Sequence, residues 1–319
     1  MLIALACLAL QVSTPVIVDT DAGTDDLMAI AFLLAREDVS IEAVTLAHGL
    51  AHVERGAENV LRLLALAGRG DIPVYKGSEE SMQKTAEFPA EWRRVSDELP
   101  GVTLPASRRR PKTQPAAEFL AARLKDASRP VAVIATGALT NLAQAFQREW
   151  SAAHNIRRLV IMGGAIRVPG NLGDGGFYKT DNKTAEWNIF IDPLAARRVF
   201  GSGATIDVVP LDATSKVPID IAFLNQIKAG AKGPLSRFVA QILESERELI
   251  QAGIYQAWDP LAAVALVDPG VARWTTMTLD ITANGTTVTA GKKGGNTRVA
   301  LDADAAHFKR VFLGALEGR

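Results

Sequence analysis

The sequence predicts a single α/β domain with a mostly parallel central sheet covered by helices on both faces. Apolar runs of strand length alternate with segments in which apolar residues recur at helical spacing. The strand-length runs are continuously apolar, which is typical of parallel strands buried on both faces. The 319 residues contain no Pro/Gly/Ser-rich linker and no internal repeat, so residues 14–319 are expected to form one domain.

The first two thirds of the chain supply the expected sheet and its covering helices. The predicted strands are Pro15–Val18, Ile41–Leu46, a short strand at Val74, Val131–Ala135, Leu159–Met162 and Thr205–Val209. The predicted helices are Asp25–Glu37, Val53–Ala67, Pro115–Lys125, Leu139–Arg148 and Pro193–Phe200. Acidic residues open the first of these helices, where they interact favourably with the helix dipole.

The C-terminal third departs from the regular alternation of strands and helices. Its predicted helices are Ile219–Lys228, Leu235–Gln251, the segment 258–268 and a closing helix at about Ala303–Leu316. Strand-like pieces at Thr278–Thr282 and Thr286–Thr289 flank Asn284-Gly285, a dipeptide that predicts a hairpin turn.

Charge and cysteine content exclude several classes of function. Lys+Arg and Asp+Glu both number 35, and this balance argues against a broad nucleic-acid-binding surface. The basic run Arg108–Arg110 is expected to be a solvated loop. A single cysteine, Cys7, excludes an internal disulfide and a four-cysteine metal site.

The apolar head MLIALACLAL is the one segment that suggests targeting. Residues 1–13 are interpreted as a secretory signal or an unstructured head, so the protein is expected to be exported, or otherwise cytoplasmic. No other stretch has the length and apolar purity of a membrane span.

Polar residues and glycines follow three of the predicted strands. Four aspartates lie within VIVDTDAGTDD (16–26), Thr136-Gly137 follows a second strand, and Met162-Gly163-Gly164 ends a third. Ligands of parallel α/β folds bind beyond the carboxyl ends of the strands, so these segments are expected to meet in one crevice.

The aspartates Asp19, Asp21, Asp25 and Asp26 allow four interpretations. A helix N-terminus accounts for only the two closest to the helix. A calcium-binding EF-hand loop would place a ligand where Gly23 stands, and a haloacid-dehalogenase-type phosphatase would have Thr or Val there. The fourth interpretation is a hard-cation site that organises a water and a polyhydroxy substrate. Oxygen-only ligands suit calcium or magnesium, and no His or Cys cluster suggests zinc.

Five motifs in order make the chain resemble the inosine–uridine-preferring nucleoside hydrolase superfamily. They are the Asp-x-Asp-x-Gly-x-Asp-Asp segment at 19–26, VIATGALTNLA (133–143), VIMGGAIRVPGN (160–171), TAEWNIFIDP (184–193) and AWDPLAAV (257–264). The resemblance runs from Val16 to the C-terminal helix. It implies a Ca2+-dependent enzyme that hydrolyses the N-glycosidic bond of ribonucleosides, and a homo-oligomer of two or four copies.

The resemblance also implies a role for each motif residue. The metal ligands would be Asp21, Asp26, the backbone carbonyl of Thr136, and Asp259, with Asp21 also the general base toward the attacking water. Residues expected to contact the ribose are Asp25, Met162, Asn171, Glu186 and Asn188, and Asp19 would support the aspartate loop from behind. Each has a structural alternative: Glu186 and Asn188, for example, could be surface residues that open the Pro193 helix.

Tryptophans at three motif positions resemble the purine-specific inosine–adenosine–guanosine subgroup. Trp258 stands before Asp259, where general members carry a histidine that assists the leaving base. Trp187 stands between Glu186 and Asn188, and Trp92 lies in the long loop after Val74. Trp92 and Trp258 are expected to stack on both faces of a purine, with Trp258 assisting departure of the base.

One position departs from the family pattern. Leu50 stands where the family usually has Asn or Asp, and leucine cannot form the corresponding hydrogen bonds to Asp21 and the ribose. Either His48 supplies the polar contact, or the local alignment is shifted, or catalysis is weakened. The sequence therefore predicts a Ca2+-dependent purine nucleosidase, with two alternatives: a catalytically weak nucleoside-binding protein and a Mg2+-dependent phosphohydrolase.

Overall fold

The structure is a computed structural model that describes residues 13–84, 86–176, 178–291 and 297–318. Residues 1–12 of the predicted head, with Cys7, lie outside the described residues. The helices of the described ranges include none long and apolar enough to cross a membrane.

The strands are numbered along the chain. Within the described residues they are β1 (Thr14–Thr20), β2 (Val39–Leu46), β3 (Val74–Lys76), β4 (Ala132–Ala135), β5 (Arg158–Met162), β6 (Ile206–Val209), β7 (Ala272–Met277), β8 (Leu279–Ile281), β9 (Thr287–Thr289) and β10 (Thr297–Ala303). Eight of these described strands form one sheet in the order β3-β2-β1-β4-β5-β6-β10-β7, and β8 pairs with β9. All neighbours in the large sheet are parallel except β10 and β7, which confirms the predicted mostly parallel sheet.

The helices are numbered in the same way. In the described part of the chain they are α1 (Thr24–Leu34), α2 (Val53–Leu66), α3 (Ala90–Glu98), α4 (Ala116–Lys125), α5 (Thr140–Arg148), α6 (Ser151–Asn155), α7 (Trp187–Ile191), α8 (Pro193–Phe200), α9 (Leu211–Thr214), α10 (Ile221–Gly230), α11 (Pro234–Ser245), α12 (Arg247–Gln251), α13 (Trp258–Val267) and α14 (Ala305–Leu316).

Helices cover both faces of the sheet, as β1 shows. Val16 and Val18 pack into the core that contains α1, α2 and α13, whereas Ile17 between them packs into the core that contains α5 and α8. Successive strand side chains point to opposite faces, so an uninterrupted apolar run buries both. This arrangement confirms the predicted single α/β domain.

The C-terminal ends of three central strands lie side by side. Asp19 is paired with Ala135, and Ala135 is paired with Ile161 in the next strand. The residues at or just after these strand ends, including Asp21, Thr136 and Met162, therefore meet beyond the C-terminal ends of the strands, as the sequence predicted.

Three local predictions were wrong. The strands β7 and β10 were not predicted, because β7 is a polar edge strand and β10 has only two fully buried residues, Val299 and Ala300. The predicted helix Leu235–Gln251 is divided at Glu246, where no Gly or Pro marks a break and a tertiary contact to Thr24 occurs instead. The segment around Trp92, predicted as loop, forms α3 after Pro89.

Candidate active site

The aspartate segment turns sharply between β1 and α1 and packs closely against two glycines. Ala22 adopts a left-handed conformation with φ of 57°, an uncommon geometry for a residue with a Cβ. A Cβ added at Gly49 would lie 1.9 Å from Asp21 Oδ2, and one added at Gly137 would lie 2.8 Å from Asp21 Cβ. The glycines after β2 and β4 therefore let Asp21 lie between the strand ends.

A cavity of about 350 Å³ opens beyond these strand ends. All twelve residues predicted for the site line it: Asp21, Asp25, Asp26, Trp92, Thr136, Met162, Asn171, Glu186, Trp187, Asn188, Trp258 and Asp259. The five sequence motifs, which are far apart along the chain, thus converge on one concave site.

Three hydrogen bonds hold the carboxylate of Asp26 in place. Its Oδ1 accepts hydrogen bonds from the hydroxyls of Thr20 at 2.5 Å and Thr136 at 2.6 Å, and its Oδ2 accepts from the Gly23 amide at 3.0 Å. Thr20 ends β1 and Thr136 directly follows β4, so the position of Asp26 is tied to the pairing of these two strands.

Three carboxylates lie close enough to share one cation. Candidate ligand atoms of Asp25, Asp26 and Asp259 all lie within 4.8 Å of one another, because α13 packs on α1 and brings Asp259 to the start of that helix. Among the described residues, Asp21 Oδ1 and Asp259 Oδ1 are buried without a hydrogen-bond partner. Oxygen atoms in this arrangement suit a hard cation such as calcium or magnesium.

Burial strongly perturbs the protonation of these groups. Loss of hydration, together with the neighbouring Asp26 charge, raises the pKa of Asp25 to about 8. Burial and the neighbouring carboxylates also raise the pKa of Asp21 and of Asp259 well above its usual range. Protein hydrogen-bond donors alone therefore leave much of the negative charge of these carboxylates uncompensated, and a bound cation would compensate it.

Asp19 is buried and is not among the described residues that line the cavity. Its Oδ1 accepts hydrogen bonds from Thr45 Oγ1 at 2.6 Å and from Asn141 Nδ2 at 2.8 Å. Asn141 also donates to the Leu46 carbonyl at 2.9 Å, so it joins β1, β2 and α5. Burial raises the pKa of Asp19 to about 6. Asn141 is a supporting residue that the sequence analysis did not single out.

Glu186 and Asn188 are buried at the start of α7, so the alternative that they are surface residues is wrong. Glu186 caps this helix by accepting from the amides of Asn188, Ile189 and Gly164. Asn188 Nδ2 donates to the carbonyls of Thr136 at 3.0 Å and Met162 at 3.2 Å. Both of these residues were themselves predicted to belong to the site. Asn171 Oδ1 accepts from the Trp187 amide at 3.1 Å.

Aromatic rings form two walls of the cavity. On one wall Trp187 stacks on Phe88 with ring centroids 4.7 Å apart and meets the edge of Trp92 at 5.6 Å. On the other, Trp258 meets the edge of Tyr255 at 5.3 Å. The tryptophans Trp92 and Trp258 come from α3 and α13 and are both half-buried on the cavity.

The polar contact expected at position 50 comes from the backbone. The Leu50 amide donates to Asp21 Oδ2 at 2.9 Å, although its side chain is apolar. His48 is buried but is not among the described residues that line the cavity. Burial also lowers the pKa of His48, which favours a neutral ring. His48 is therefore not positioned to supply the polar contact that the Leu50 side chain cannot make.

The fold and the site together define an α/β enzyme whose crevice is rich in carboxylates that could bind a metal. The chain belongs to the inosine-uridine preferring nucleoside hydrolase family, whose family model matches residues 16–310. Members of this family are metal-dependent and act on the N-glycosidic bonds of ribonucleosides.

Individual relatives differ in the base that their names specify. The chain is 33% identical over 257 residues to uridine nucleosidase 1 of Arabidopsis thaliana, covering 79% of this chain and 74% of the relative. It is 34% identical over 230 residues to the pyrimidine-specific ribonucleoside hydrolase RihA of Salmonella agona, covering 72% and 70%. A solved purine-preferring ribonucleoside hydrolase from Gardnerella vaginalis has a TM-score of 0.84 and 25% identity, with 96% of this chain and 98% of that chain covered.

Proposed function

We propose that this protein uses Ca2+ to hydrolyse the N-glycosidic bond of purine ribonucleosides, giving free base and ribose. The observation that carries this proposal is the composition of the single cavity that the five motifs share. It combines buried carboxylates able to hold a hard cation with half-buried indoles able to stack on a flat base.

The proposed cation ligands are Asp21, Asp26, Asp259 and the backbone carbonyl of Thr136. Asp25 is a further candidate, because its carboxylate belongs to the close group with Asp26 and Asp259. The unpartnered oxygens of Asp21 and Asp259 support a bound cation, since buried carboxylate oxygens require compensation. When bound, the dication would lower the pKa of a water molecule and orient the ribose hydroxyls.

Asp21 is proposed as the general base. Its Oδ2 is held by the Leu50 amide, and its Oδ1 has no donor from the described residues. The carboxylate is thus fixed in orientation with one oxygen available for the proton of the attacking water.

The sugar is proposed to contact Asp25, Met162, Asn171, Glu186 and Asn188. The amide group of Asn188 is oriented by two backbone carbonyls, which leaves its Oδ1 as an acceptor for a ribose hydroxyl. Glu186 is fixed by three backbone amides and keeps lone pairs for the 5′-hydroxyl. These contacts would hold the sugar rigidly while the bond to the base breaks.

The base is proposed to lie between Trp92 and Trp258. Stacking on indole adds about 1 kcal/mol per aromatic pair beyond area burial, and a bicyclic purine gains more than a pyrimidine. Bond cleavage pushes negative charge onto the leaving base. The electron-rich indole faces favour a cationic ring, so they would ease protonation of the purine from solvent. Trp258 would act here in place of the histidine found in general family members.

A preference for pyrimidine ribonucleosides is the second candidate. The names of two relatives favour it, since one is a uridine nucleosidase and the other is pyrimidine-specific. The two candidates share the same cation and the same attacking water and differ only in the contacts to the base.

Product analysis with Ca2+-loaded protein tests the proposal. Inosine, guanosine and uridine are supplied separately, and free base and reducing sugar are measured, with Asp21→Ala as the control for contaminating activity. We expect kcat/KM for inosine to exceed that for uridine by about tenfold or more, because 1.4 kcal/mol of extra stacking gives this factor. A uridine rate equal to or above the inosine rate would favour the pyrimidine candidate. Saturable binding without product would indicate a nucleoside-binding protein, and phosphate release from a phosphomonoester would indicate a phosphohydrolase.

Assembly and location are also proposals. A homo-oligomer of two or four copies is proposed, and light scattering of the purified protein measures it. Export is proposed on the apolar head, with a cytoplasmic location as the alternative, and fractionation of cells that produce the full chain separates the two.

A further inference from the structure

The lining of the cavity carries charge of one sign. Nine carboxylates line it, and among the described residues around it there is no Lys, Arg or His. Four of these carboxylates, those of Glu91, Asp174, Glu246 and Glu248, have no part in the reaction proposed above. A bound dication offsets two negative charges, so an excess of negative charge remains. A concave site lined by one sign of charge concentrates ligands of the opposite sign.

Glu246 is the buried member of these four, with 8% of its surface exposed. It lies at the junction between α11 and α12 and accepts a hydrogen bond from the Thr24 side chain. The Thr24 hydroxyl lies 3.3 Å from that of Tyr255, whose ring meets Trp258. Glu246 therefore places a buried carboxyl group on the wall that also carries Tyr255 and Trp258.

This wall has the features of a cation site. Aromatic faces attract cationic rings, and the attraction grows when the site is shielded from water. The described residues provide no cationic partner for Glu246, and Thr24 is its one side-chain hydrogen bond. A positively charged ligand would supply the missing partner for this buried carboxylate.

We propose that the preferred substrates are ribonucleosides whose base ring carries a positive charge, such as N7-alkylated purine ribonucleosides, and that Glu246 determines this preference. The proposal rests on the hydrolase function proposed above and names its substrate class.

The reaction of such a substrate balances without a proton on the leaving group. The bond between C1′ and the ring nitrogen breaks heterolytically, and its electron pair cancels the positive charge of the base. Water forms the new C1′–O bond, one of its protons goes to Asp21, and the other remains on the C1′ hydroxyl. The base leaves neutral, so the wall formed by Glu246, Tyr255 and Trp258 needs no general acid for this class of substrate.

The test compares 7-methylguanosine with guanosine at about pH 6, where the methylated base is a cation. N7-methylation also weakens the glycosidic bond, so the readout is the ratio of the two kcat/KM values within each variant. In Glu246→Gln we expect this ratio to fall about tenfold from that of the unaltered protein, because the charge of the carboxylate is removed while its shape is kept.

Glu244→Gln is the matched control. Glu244 lies two residues away, is 41% exposed and pairs with Arg247 and Lys228 outside the cavity. Its ratio should equal that of the unaltered protein. A ratio that is the same in all three proteins would overturn the inference. Melting temperatures of the variants show whether each is folded.

Failure of this inference and failure of the proposed function give different results. Guanosine hydrolysis with a ratio insensitive to Glu246 leaves the function standing and removes the inference. If only 7-methylguanosine is hydrolysed, the preference for neutral purines is removed, and the inference is then tested by the kcat/KM for 7-methylguanosine. A fall in Glu246→Gln but not in Glu244→Gln supports the inference, and equal values in both variants overturn it. If neither compound is hydrolysed, the dissociation constants of 7-methylguanosine and guanosine are measured by calorimetry, and their ratio is compared between the variants. A value that does not change in Glu246→Gln then rejects the inference.

Discussion

Calcium is expected to stabilise this protein by an amount that increases as the pH rises. Without a cation, burial raises the pKa of Asp25 to about 8 and that of Asp19 to about 6. A carboxyl group with a raised pKa binds more protons in the folded state than in the unfolded state. Its contribution to stability is complete below the unfolded pKa of 3.8 and is lost as the pH rises through the folded pKa.

The size of this effect follows from Asp25. A change in pKa from 3.8 to about 8 corresponds to roughly 6 kcal/mol of folding stability, which disappears between about pH 4 and pH 8. At roughly 2 °C per kcal/mol for a large domain, the melting temperature of the chelated protein should fall by about 12 °C over this range. Calcium compensates the ionised carboxylates and removes most of that fall.

The assay is a series of thermal melts between about pH 5 and pH 9, with chelator and with excess calcium. The variants Asp259→Asn and Asp268→Asn change one carboxyl group at each end of α13, and only Asp259 lines the cavity. Asp259→Asn should lose most of the calcium-dependent gain, whereas Asp268→Asn should keep it. A gain that is the same at every pH, or that both variants lose equally, would refute the reasoning.

Three further predictions concern single side chains. Asp21→Ala should lower kcat for inosine by about 10³-fold, since a general base contributes 10²- to 10⁴-fold; near-normal turnover at saturating calcium would exclude that role. Trp92→Ala and Trp258→Ala should lower kcat for inosine far more than for p-nitrophenyl riboside, whose leaving group needs no proton; equal losses would mean that the tryptophans only position the substrate. Asn141→Ala should cost about 1–3 kcal/mol of folding stability, because Asp19 and the Leu46 carbonyl lose a buried donor; an unchanged urea midpoint would contradict this.

The parts of the fold that the sequence predicted are those with strong local patterns. β1 could be predicted because Val16, Ile17 and Val18 are continuously apolar, and burial on both faces of a sheet requires such a run. The strands β7 and β10 depend on pairing between distant segments, and their polar residues give little local signal.

The site residues likewise divide into those that local motifs predicted and those that depend on tertiary packing. All twelve predicted residues line the cavity, because ordered motifs preserve the positions where strands end. The backbone contact of Leu50 to Asp21 could not be predicted, since a side-chain pattern carries no information on where an amide points. Glu246 was hidden inside a predicted continuous helix, and its burial results from the tertiary contact with Thr24. The aromatic wall also depends on tertiary packing, because α3 must dock before Trp92 meets Trp187.

The most direct test of the central claim compares calcium occupancy with inosine hydrolysis in the same chelated protein. Calcium is added stepwise, and bound metal is measured by calorimetry while free hypoxanthine is measured in parallel. The carboxylate site predicts one calcium per chain, with hydrolysis appearing at the same midpoint as binding and disappearing again with chelator. Full activity in the chelated protein, or calcium binding that changes neither the rate nor the stability, would contradict it.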